Sequence, residues 1–307
     1  MSEHRSRRFL MEARGVALRS RRVRLWALLV LLIVLALGVQ AVVPEWRLLP
    51  DFGSSLGAAT ILGLFLAAHF CEYIDSTLGM GYGTTLTPVL LLAGFAPLQI
   101  VPAVLFSEFV TGLAAGLLHH RDGNIDLLRD RKAQGTMVLL SVLSAFGAVA
   151  AVTLAIRIPK FWLTAIIATI ILSVGVLILA TIHRQLAYRR GHIIALGAVA
   201  AFNKGLSGGG YGPLVTGGQV VSGVSPKQAV AITSLAEALT CLVGLAAYVW
   251  MRGSPDWSLA VPLTVGALLS VPMATLTVQR LPEAFMRGSV GVVTCFLGLL
   301  TFVKLLS

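Results

Sequence analysis

Long apolar runs separated by short polar loops dominate the chain. Most of these runs have about 20 residues, the length that a helix needs to cross the hydrocarbon core of a bilayer. Two apolar elements, at 53–93 and 191–222, are interrupted by glycine-rich stretches. The uninterrupted runs predict full helices at 25–43, 98–118, 135–157, 160–181, 227–250, 258–279 and 284–305. The pattern predicts an all-α polytopic membrane protein.

The second half of the chain repeats the first. Gly79-Met80-Gly81-Tyr82-Gly83 returns as Gly208-Gly209-Gly210-Tyr211-Gly212, and the 35 residues from 79 to 113 share 12 identities with 208–242 without a gap. Beyond the glycines and tyrosines, the matched positions include Thr87/Thr216, Gly94/Gly223, Pro97/Pro226, Glu108/Glu237 and Thr111/Thr240. We predict a first repeat at 53–182 and a second at 191–305. Each repeat is a glycine-broken element followed by three transmembrane helices.

The two repeats are predicted to be inverted relative to each other. Each broken element is either two thin spans or one re-entrant hairpin, and in both cases it crosses the membrane an even number of times. With three full helices added, each repeat crosses an odd number of times, so the second starts on the opposite side. The short segments around the second break favour half-helices that meet near the midplane.

The distribution of Lys and Arg residues predicts how the chain is oriented in the membrane. The chain is 57% hydrophobic and 12% charged, whereas soluble domains carry roughly 25% charged residues. The net charge of +11 does not indicate a nucleic-acid partner, because the basic residues lie in short loops between apolar runs. Residues 1–24, with eight arginines, are predicted to be a cytoplasmic N-terminus. Placing them inside with the loops at 119–134 and 182–190 divides the Lys and Arg residues 18 to 6.

The apolar run at 25–43 is predicted to be an extra, uncleaved N-terminal transmembrane helix. It is long for the core of a signal peptide. Cleavage after Val39-Gln40-Ala41 is the alternative, and it would leave the orientation of the rest unchanged.

The glycine-rich breaks are the candidate substrate site. Alternating glycines let the backbone bend and approach a ligand closely, and a half-helix starting at Thr84 or Pro213 offers free N–H groups to an anion. The alternative is that these glycines only allow helices to pack closely. Two matched copies favour binding. The candidate substrate-binding residues here are Gly79, Gly81, Tyr82, Gly83, Thr84, Thr85, Gly208, Gly209, Gly210, Tyr211 and Gly212.

These breaks, the turns at Gly94–Pro97 and Gly223–Pro226, and the polar helix after each turn resemble the TauE/SafE sulfite exporters, also called TSUP transporters. The resemblance covers about residues 53–305. Gly208-Gly209-Gly210 and Pro88 fit the family pattern, whereas Met80 replaces a glycine in the first copy. The resemblance implies a transporter, and more specifically an exporter, of sulfite, a sulfonate or a related organic acid across a bacterial inner membrane.

Two carboxyl groups are predicted inside the membrane, where an ionisable residue is costly unless it is paired or hydrated. Glu108 and Glu237 lie mid-helix at matched positions. Glu108 shares its helix face with Thr111, and Glu237 shares its face with Ser234, so hydroxyls are predicted to flank both carboxyl groups. Such a group can hold a proton, because apolar surroundings disfavour its charged form. Proton coupling is one interpretation. A structural hydrogen bond to the neighbouring broken element is the other.

Asp75 and Lys204 occupy matched positions with opposite charges, and Lys204 is the best candidate for an anion counter-charge. The alternative is a lysine that reaches towards the membrane interface. His69 and Glu72 lie one helical turn apart but resemble only half of a metal site, so no metal and no cofactor are expected. His119 and His120 adjoin a basic loop, which predicts a hydrated helix end.

A secondary transporter is the leading hypothesis for function. An anion channel or a membrane partner subunit without transport activity are the alternatives, and a proton-driven, saturable flux would separate a carrier from a channel. The chain lacks HExxH, a nucleotide-binding loop and a nucleophile–base pair, so no enzyme activity is predicted. The expected partners are a small anion, the lipid bilayer and protons, with a homodimer left open.

Overall fold

The computed structural model describes residues 26, 28–40, 42, 56–126, 129–181, 190–212, 215, 216, 219, 226–277 and 282–306. All regular structure in these residues is helical, which confirms the predicted class. The predicted segment 1–24 and the turn at Gly223 lie outside the described residues. The helices are α1 (Leu28–Gln40), α2 (Ala58–Leu78), α3 (Tyr82–Leu92), α4 (Pro97–Arg121), α5 (Arg131–Arg157), α6 (Lys160–Thr181), α7 (Arg190–Ser207), α8 (Pro226–Arg252), α9 (Trp257–Thr277) and α10 (Glu283–Leu306).

The glycine breaks are shorter than the sequence predicts. The apolar pattern predicts that the first apolar segment ends at about Tyr73 and that the second break spans 204–212, but α2 continues to Leu78 and α7 to Ser207. Asp75, Lys204 and Ser207 near these helix ends are compatible with a helix because each finds a hydrogen-bond partner within the fold. The chain leaves each helix only at a glycine in the left-handed conformation, with φ 68° at Gly79 and 74° at Gly208.

The half-helices after the breaks also begin earlier than predicted. The first starts at Tyr82 rather than at Thr84, and residues 211 and 212 are already helical ahead of Pro213. Gly81 and Gly210 have positive φ values of 132° and 80°, so each break is a left-handed turn of about three residues. The N–H groups at the start of α3 therefore belong to Tyr82 and its neighbours.

In the described part of the chain, five helices are long and apolar enough to cross a membrane. They span Ala58–Leu78, Pro97–Arg121, Gln134–Arg157, Lys227–Arg252 and Trp257–Thr277. Large apolar side chains such as Phe70, Phe146 and Trp250 are exposed on the outside of the bundle, where hydrocarbon can cover them. The chain is a multi-pass membrane protein. The helix α1 is shorter than these five, and it packs through Leu37 against Phe65 and Leu269.

The helix packing remains the same when the two repeats are interchanged. The central pair is α4 with α8, which are equivalent in the repeat, and α6 packs against its own equivalent, α10. The helix α9 packs on α2 and α4, while its equivalent α5 packs on α7 and α8. Each of these helix contacts therefore has an equivalent contact, formed by the corresponding helices of the other repeat. This is the arrangement that an internal two-fold relation produces, and it brings the two glycine breaks together at the centre.

Candidate functional site

The two glycine breaks cross in direct backbone contact. A β carbon placed on Gly83 would overlap the backbone carbonyl of Gly208, and one placed on Gly212 would overlap the carbonyl of Gly79. The two contacts are the same contact with the repeats exchanged. A β carbon on Gly209 would also meet the backbone of Gly83. The crossing therefore requires glycine at 83 and 212, which explains why this pair recurs in both copies, whereas Gly209 is matched by Met80 in the first copy.

Two matched threonines stabilise the contact between the two glycine breaks through hydrogen bonds. The Thr87 hydroxyl donates to the carbonyl of Ser207 at 3.0 Å, and the Thr216 hydroxyl donates to the carbonyl of Gly79 at 2.8 Å. Each threonine of one short helix thus satisfies a carbonyl at the end of the long helix in the other repeat, where intrahelical partners run out. The repeat alignment contains this pair, but our sequence interpretation assigned it no role.

The start of α3 is already occupied by carboxylates of the protein. The N–H of Tyr82 donates to Oδ1 of Asp75 at 3.3 Å, and the N–H of Gly83 donates to Oε1 of Glu108 at 3.2 Å. A helix start is an anion site because its first N–H groups lack intrahelical acceptors. The site predicted for a substrate anion is therefore filled by side-chain anions from α2 and α4.

Lys204 lies in the same cluster and is 1% exposed. Its ammonium pairs with Glu108 and with Glu237, the latter at 2.7 Å. A lysine directed to the membrane interface would be exposed, so that alternative is wrong. The two matched glutamates from α4 and α8 thus share one buried cation contributed by α7. A buried charge of this kind is tolerated only when it is paired.

Glu108 connects these groups. One carboxylate oxygen accepts the N–H of Gly83, while the other lies beside the Lys204 ammonium and 3.6 Å from the Cys241 thiol. Of the two alternatives left open from sequence, the geometry supports the structural hydrogen bond, since Glu108 bonds to the neighbouring broken element and is also paired with a cation. Proton coupling stays a prediction.

The hydroxyls predicted to flank the two glutamates have other partners. Ser234 donates to the carbonyl of Val230 in its own helix at 3.0 Å, and Thr111 donates to Glu72 at 3.1 Å. Sequence spacing on one helix could not show these partners, because a helix face contacts several neighbouring helices. Glu237 is held by Lys204 rather than by a hydroxyl.

The remaining predicted site residues differ in their surroundings. Tyr82 and Tyr211 are fully buried, and the Tyr82 hydroxyl lies 2.7 Å from that of Ser107. Thr85 is half-buried, and its N–H continues the helix by bonding to Gly81 at 3.0 Å. Thr84 is buried, and among the described residues its hydroxyl has no hydrogen-bond partner. A free buried hydroxyl next to Gly83 is suited to bind an oxygen of a ligand.

His119 and His69 both have hydrogen-bond partners within the fold. His119, expected at a hydrated helix end, is 0% exposed because the loop at 122–126 folds over it. Nδ1 of His69 donates to the carbonyl of Gly266 at 3.0 Å. The structure also adds Glu72, Ser76 and Thr111 as a buried polar group that the sequence interpretation did not assign to the site.

The sequence of the chain is similar to a known protein family and to a curated membrane protein. The sequence family described as "Sulfite exporter TauE/SafE" matches residues 64–301. A curated protein of Bacillus subtilis (strain 168), described as "Probable membrane transporter protein YtnM", is 28% identical over 232 residues, which cover 72% of this chain and 75% of that protein. No solved structure matches the chain. The family match includes both glycine breaks and both glutamates.

Proposed function

The chain is a membrane transporter of the sulfite exporter TauE/SafE family, and we propose that it carries a small anion such as sulfite, a sulfonate or a related organic acid together with protons. The observation that supports this most strongly is the position of Glu108. Its carboxylate holds both the N–H of Gly83 and the ammonium of Lys204, which are the two best anion ligands at the crossing.

Protonation of Glu108 would release these ligands. A neutral carboxylic acid no longer neutralises Lys204 and is a weaker acceptor for the N–H of Gly83. The ammonium and the N–H then face an anion that carries its own charge into the site, with the buried hydroxyl of Thr84 as a further donor. Glu237, the second partner of Lys204, can take up a proton in the same way. Each bound anion therefore enters with at least one proton.

The closed crossing favours a carrier over a channel. The backbones of the two breaks are in contact at Gly83 and Gly208, and again at Gly212 and Gly79. A permanently open pore would need a gap at this depth. A carrier instead opens the site alternately to each side by moving one repeat relative to the other.

We further propose a bacterial inner membrane with a cytoplasmic N-terminus and inverted repeats. The distribution of Lys and Arg supports the orientation, and the exchange of contacts between the repeats supports their two-fold relation. Because anion and protons move together, their combined gradients set the direction. An anion is exported when its outward gradient exceeds the opposing proton gradient.

Inverted repeats predict opposite sides for two equivalent loops. Asp126 lies in the exposed loop after α4, and Ser254 lies in the exposed loop after α8. In a chain whose native cysteines are replaced by alanine, Ser254→Cys should react with a membrane-impermeant maleimide in spheroplasts, whereas Asp126→Cys should react only after the membrane is opened. Labelling of both from the same side would contradict the inverted arrangement.

Proton coupling predicts that anion binding strengthens as the pH falls. A thermal-shift screen with sulfite, methanesulfonate and acetate first identifies anions that stabilise the protein, because a ligand that binds the folded state raises its stability. Methanesulfonate keeps one charge across the pH range, so a change in its affinity reports the protein's own protons. If each anion binds with one proton, affinity should rise by up to about tenfold for each unit of decreasing pH.

Glu108→Gln should remove most of this pH dependence, because glutamine is permanently neutral and Lys204 then keeps only the charge of Glu237 beside it at every pH. Glu237→Gln should reduce it. Asp126→Asn, which neutralises an exposed carboxylate in a loop, should bind with the same pH dependence as the parent. An unchanged pH dependence in both glutamate variants would exclude them as the coupled groups.

A further inference from the structure

A pocket of about 360 Å³ opens at one end of the molecule, where the end of α3 and the start of α6 meet the end of α10. Its walls are mostly apolar and include Leu91, Phe95 and Leu305. No residue of either glycine break is among the described residues that line it. The pocket is therefore separate from the anion site proposed at the crossing.

Two lysines line this pocket, one from each repeat. Lys160 is the first residue of α6, and Lys304 lies in the last turn of α10. None of the described residues that line the pocket is acidic. Both lysines belong to the six Lys and Arg residues on the side proposed to face outwards, where such residues are disfavoured. Two of them at one pocket indicate a negatively charged ligand.

The side chain of Lys304 is held at the pocket by the end of α3. Its ammonium donates to the carbonyl of Leu92, in the last turn of α3, where intrahelical partners run out. An ammonium has three N–H donors, so it can serve a carbonyl and an anion together. This bond joins α3 of the first repeat to α10 of the second, and a ligand that binds here contacts both repeats.

The pocket lies at the level of the lipid headgroups. The helix α6 has 22 residues, which is long enough to cross the hydrocarbon core, and Lys160 is at its very start. Trp162, in the first turn of α6, is 61% exposed, and an exposed tryptophan at a span end is typical of the membrane interface. Phe161 lines the pocket and is itself exposed. Bilayer lipids therefore have direct access to the pocket.

We propose that this pocket binds an anionic phospholipid, with its phosphate at Lys160 and Lys304 and an acyl chain along the apolar wall. A phospholipid fits better than a soluble anion, because the pocket combines two cations with apolar walls that open to the bilayer. Since the two lysines come from different repeats, the bound lipid links the repeats and stabilises the arrangement described here. The site depends neither on the identity of the transported anion nor on proton coupling.

Thermal unfolding of the full-length protein in dodecylmaltoside tests the lipid class. Dioctanoyl-phosphatidylglycerol, a short-chain anionic phospholipid, should raise the unfolding temperature saturably, because a ligand of the folded state stabilises it. Dioctanoyl-phosphatidylcholine, which has the same chains and no net charge, should have a much smaller effect. Inorganic phosphate, which has no acyl chains, should give no stabilisation that depends on Lys160. Equal stabilisation by the two lipids, or a Lys160-dependent effect of inorganic phosphate, would overturn the proposal.

Lys160→Gln removes one of the two cations and should weaken the apparent affinity for phosphatidylglycerol about fivefold, the factor expected for one lysine near anionic lipid. Lys304→Gln should weaken it by a similar factor, and the double variant should weaken it about 25-fold. Lys304→Arg keeps the charge and should bind the lipid like the parent. A titration of the unfolding temperature against lipid concentration gives these affinities.

Arg252→Gln is the matched control. Arg252 is an exposed cation at the same end of the molecule, beside Gln99 near the start of α4 but outside the pocket, so its loss should leave the affinity unchanged. Without added lipid, Lys160→Gln should unfold like the parent because its side chain is exposed, so it remains decisive even if Lys304→Gln does not fold. Parent-like affinity in Lys160→Gln, or an equal loss in Arg252→Gln, would overturn the proposal.

Discussion

Gly83→Ala should prevent the two glycine breaks from meeting and should abolish both stable folding and anion binding. Its β carbon would overlap the backbone carbonyl of Gly208. Backbone atoms cannot rotate away as a flexible side chain can, so one repeat must shift relative to the other. Forcing extra atoms into a packed interior costs about 1–3 kcal/mol even when side chains can adjust, and we expect a larger loss here. Unfolding in mixed dodecylmaltoside–SDS micelles measures it.

Gly63→Ala provides the control for Gly83→Ala. Gly63 lies in α2, in the same broken element, and an added β carbon would meet nothing within 4 Å. Alanine favours a helix over glycine by roughly 0.5–1 kcal/mol, so this variant should be as stable as the parent or slightly more stable. Gly212→Ala, the counterpart of Gly83→Ala, should be as damaging because its β carbon would overlap Gly79. Parent-like stability of both crossing variants would show that the breaks do not meet.

Lys204→Met should have the second large effect, because it leaves Glu108 and Glu237 without their buried cation. Methionine keeps the length of the side chain and removes its charge. Removing one partner from a buried ion pair typically costs about 3–5 kcal/mol, since the remaining charges are left uncompensated. Anion binding should also be lost, because the site no longer contains a positive side chain. Lys160→Met, at an exposed position, should change stability by less than about 0.5 kcal/mol.

A triple variant separates the two roles of Lys204. Glu108→Gln and Glu237→Gln added to Lys204→Met remove the uncompensated charges, so most of the lost stability should return. A buried ion cluster replaced by neutral groups is often close to neutral for stability. Anion binding should not return, because the cation is still missing. Recovery of binding together with stability would show that Lys204 serves the fold and that the anion binds elsewhere.

Residues that recur at matched positions of the two repeats were predicted well from the sequence. The equal spacing of the two glycine breaks predicted that they form one site, and the structure brings Gly83 and Gly208 into contact. The matched glutamates were predicted as a pair, and they meet at Lys204. Selection on both copies for the same contact leaves the same residues at the same offset, and such a signal can be read without coordinates.

Partners on different helices were less predictable. Thr111 was placed beside Glu108 because both lie on one face of α4, yet its hydroxyl bonds to Glu72 on α2. Helical spacing determines which residues share a face, but not which of several packed helices each of them contacts. The same limit hid the fact that Lys204 is already neutralised. Its repeat partner is Asp75, whereas its ion partners come from α4 and α8.

The chemistry of only one repeat was hardest to predict. Glu72 and Ser76 have no polar counterparts in the second repeat, where Ala201 and Gly205 replace them, and Tyr248 replaces the imidazole of His119. A search based on matched positions passes over such residues. A useful signal is the opposite one: an ionisable residue inside an apolar helix whose repeat partner is apolar. Of the two glutamates in the first repeat before residue 110, only Glu108 recurs.

The central claim is that a small anion and protons cross together at the glycine crossing. The most direct test is simultaneous measurement of radiolabelled methanesulfonate or sulfite flux and internal pH in proteoliposomes containing the full-length protein. Our account predicts saturable flux, accumulation driven by a proton gradient alone, and a fixed ratio of protons to anions that disappears in Glu108→Gln. Anion flux that increases linearly with anion concentration and does not depend on the proton gradient would contradict proton-coupled transport.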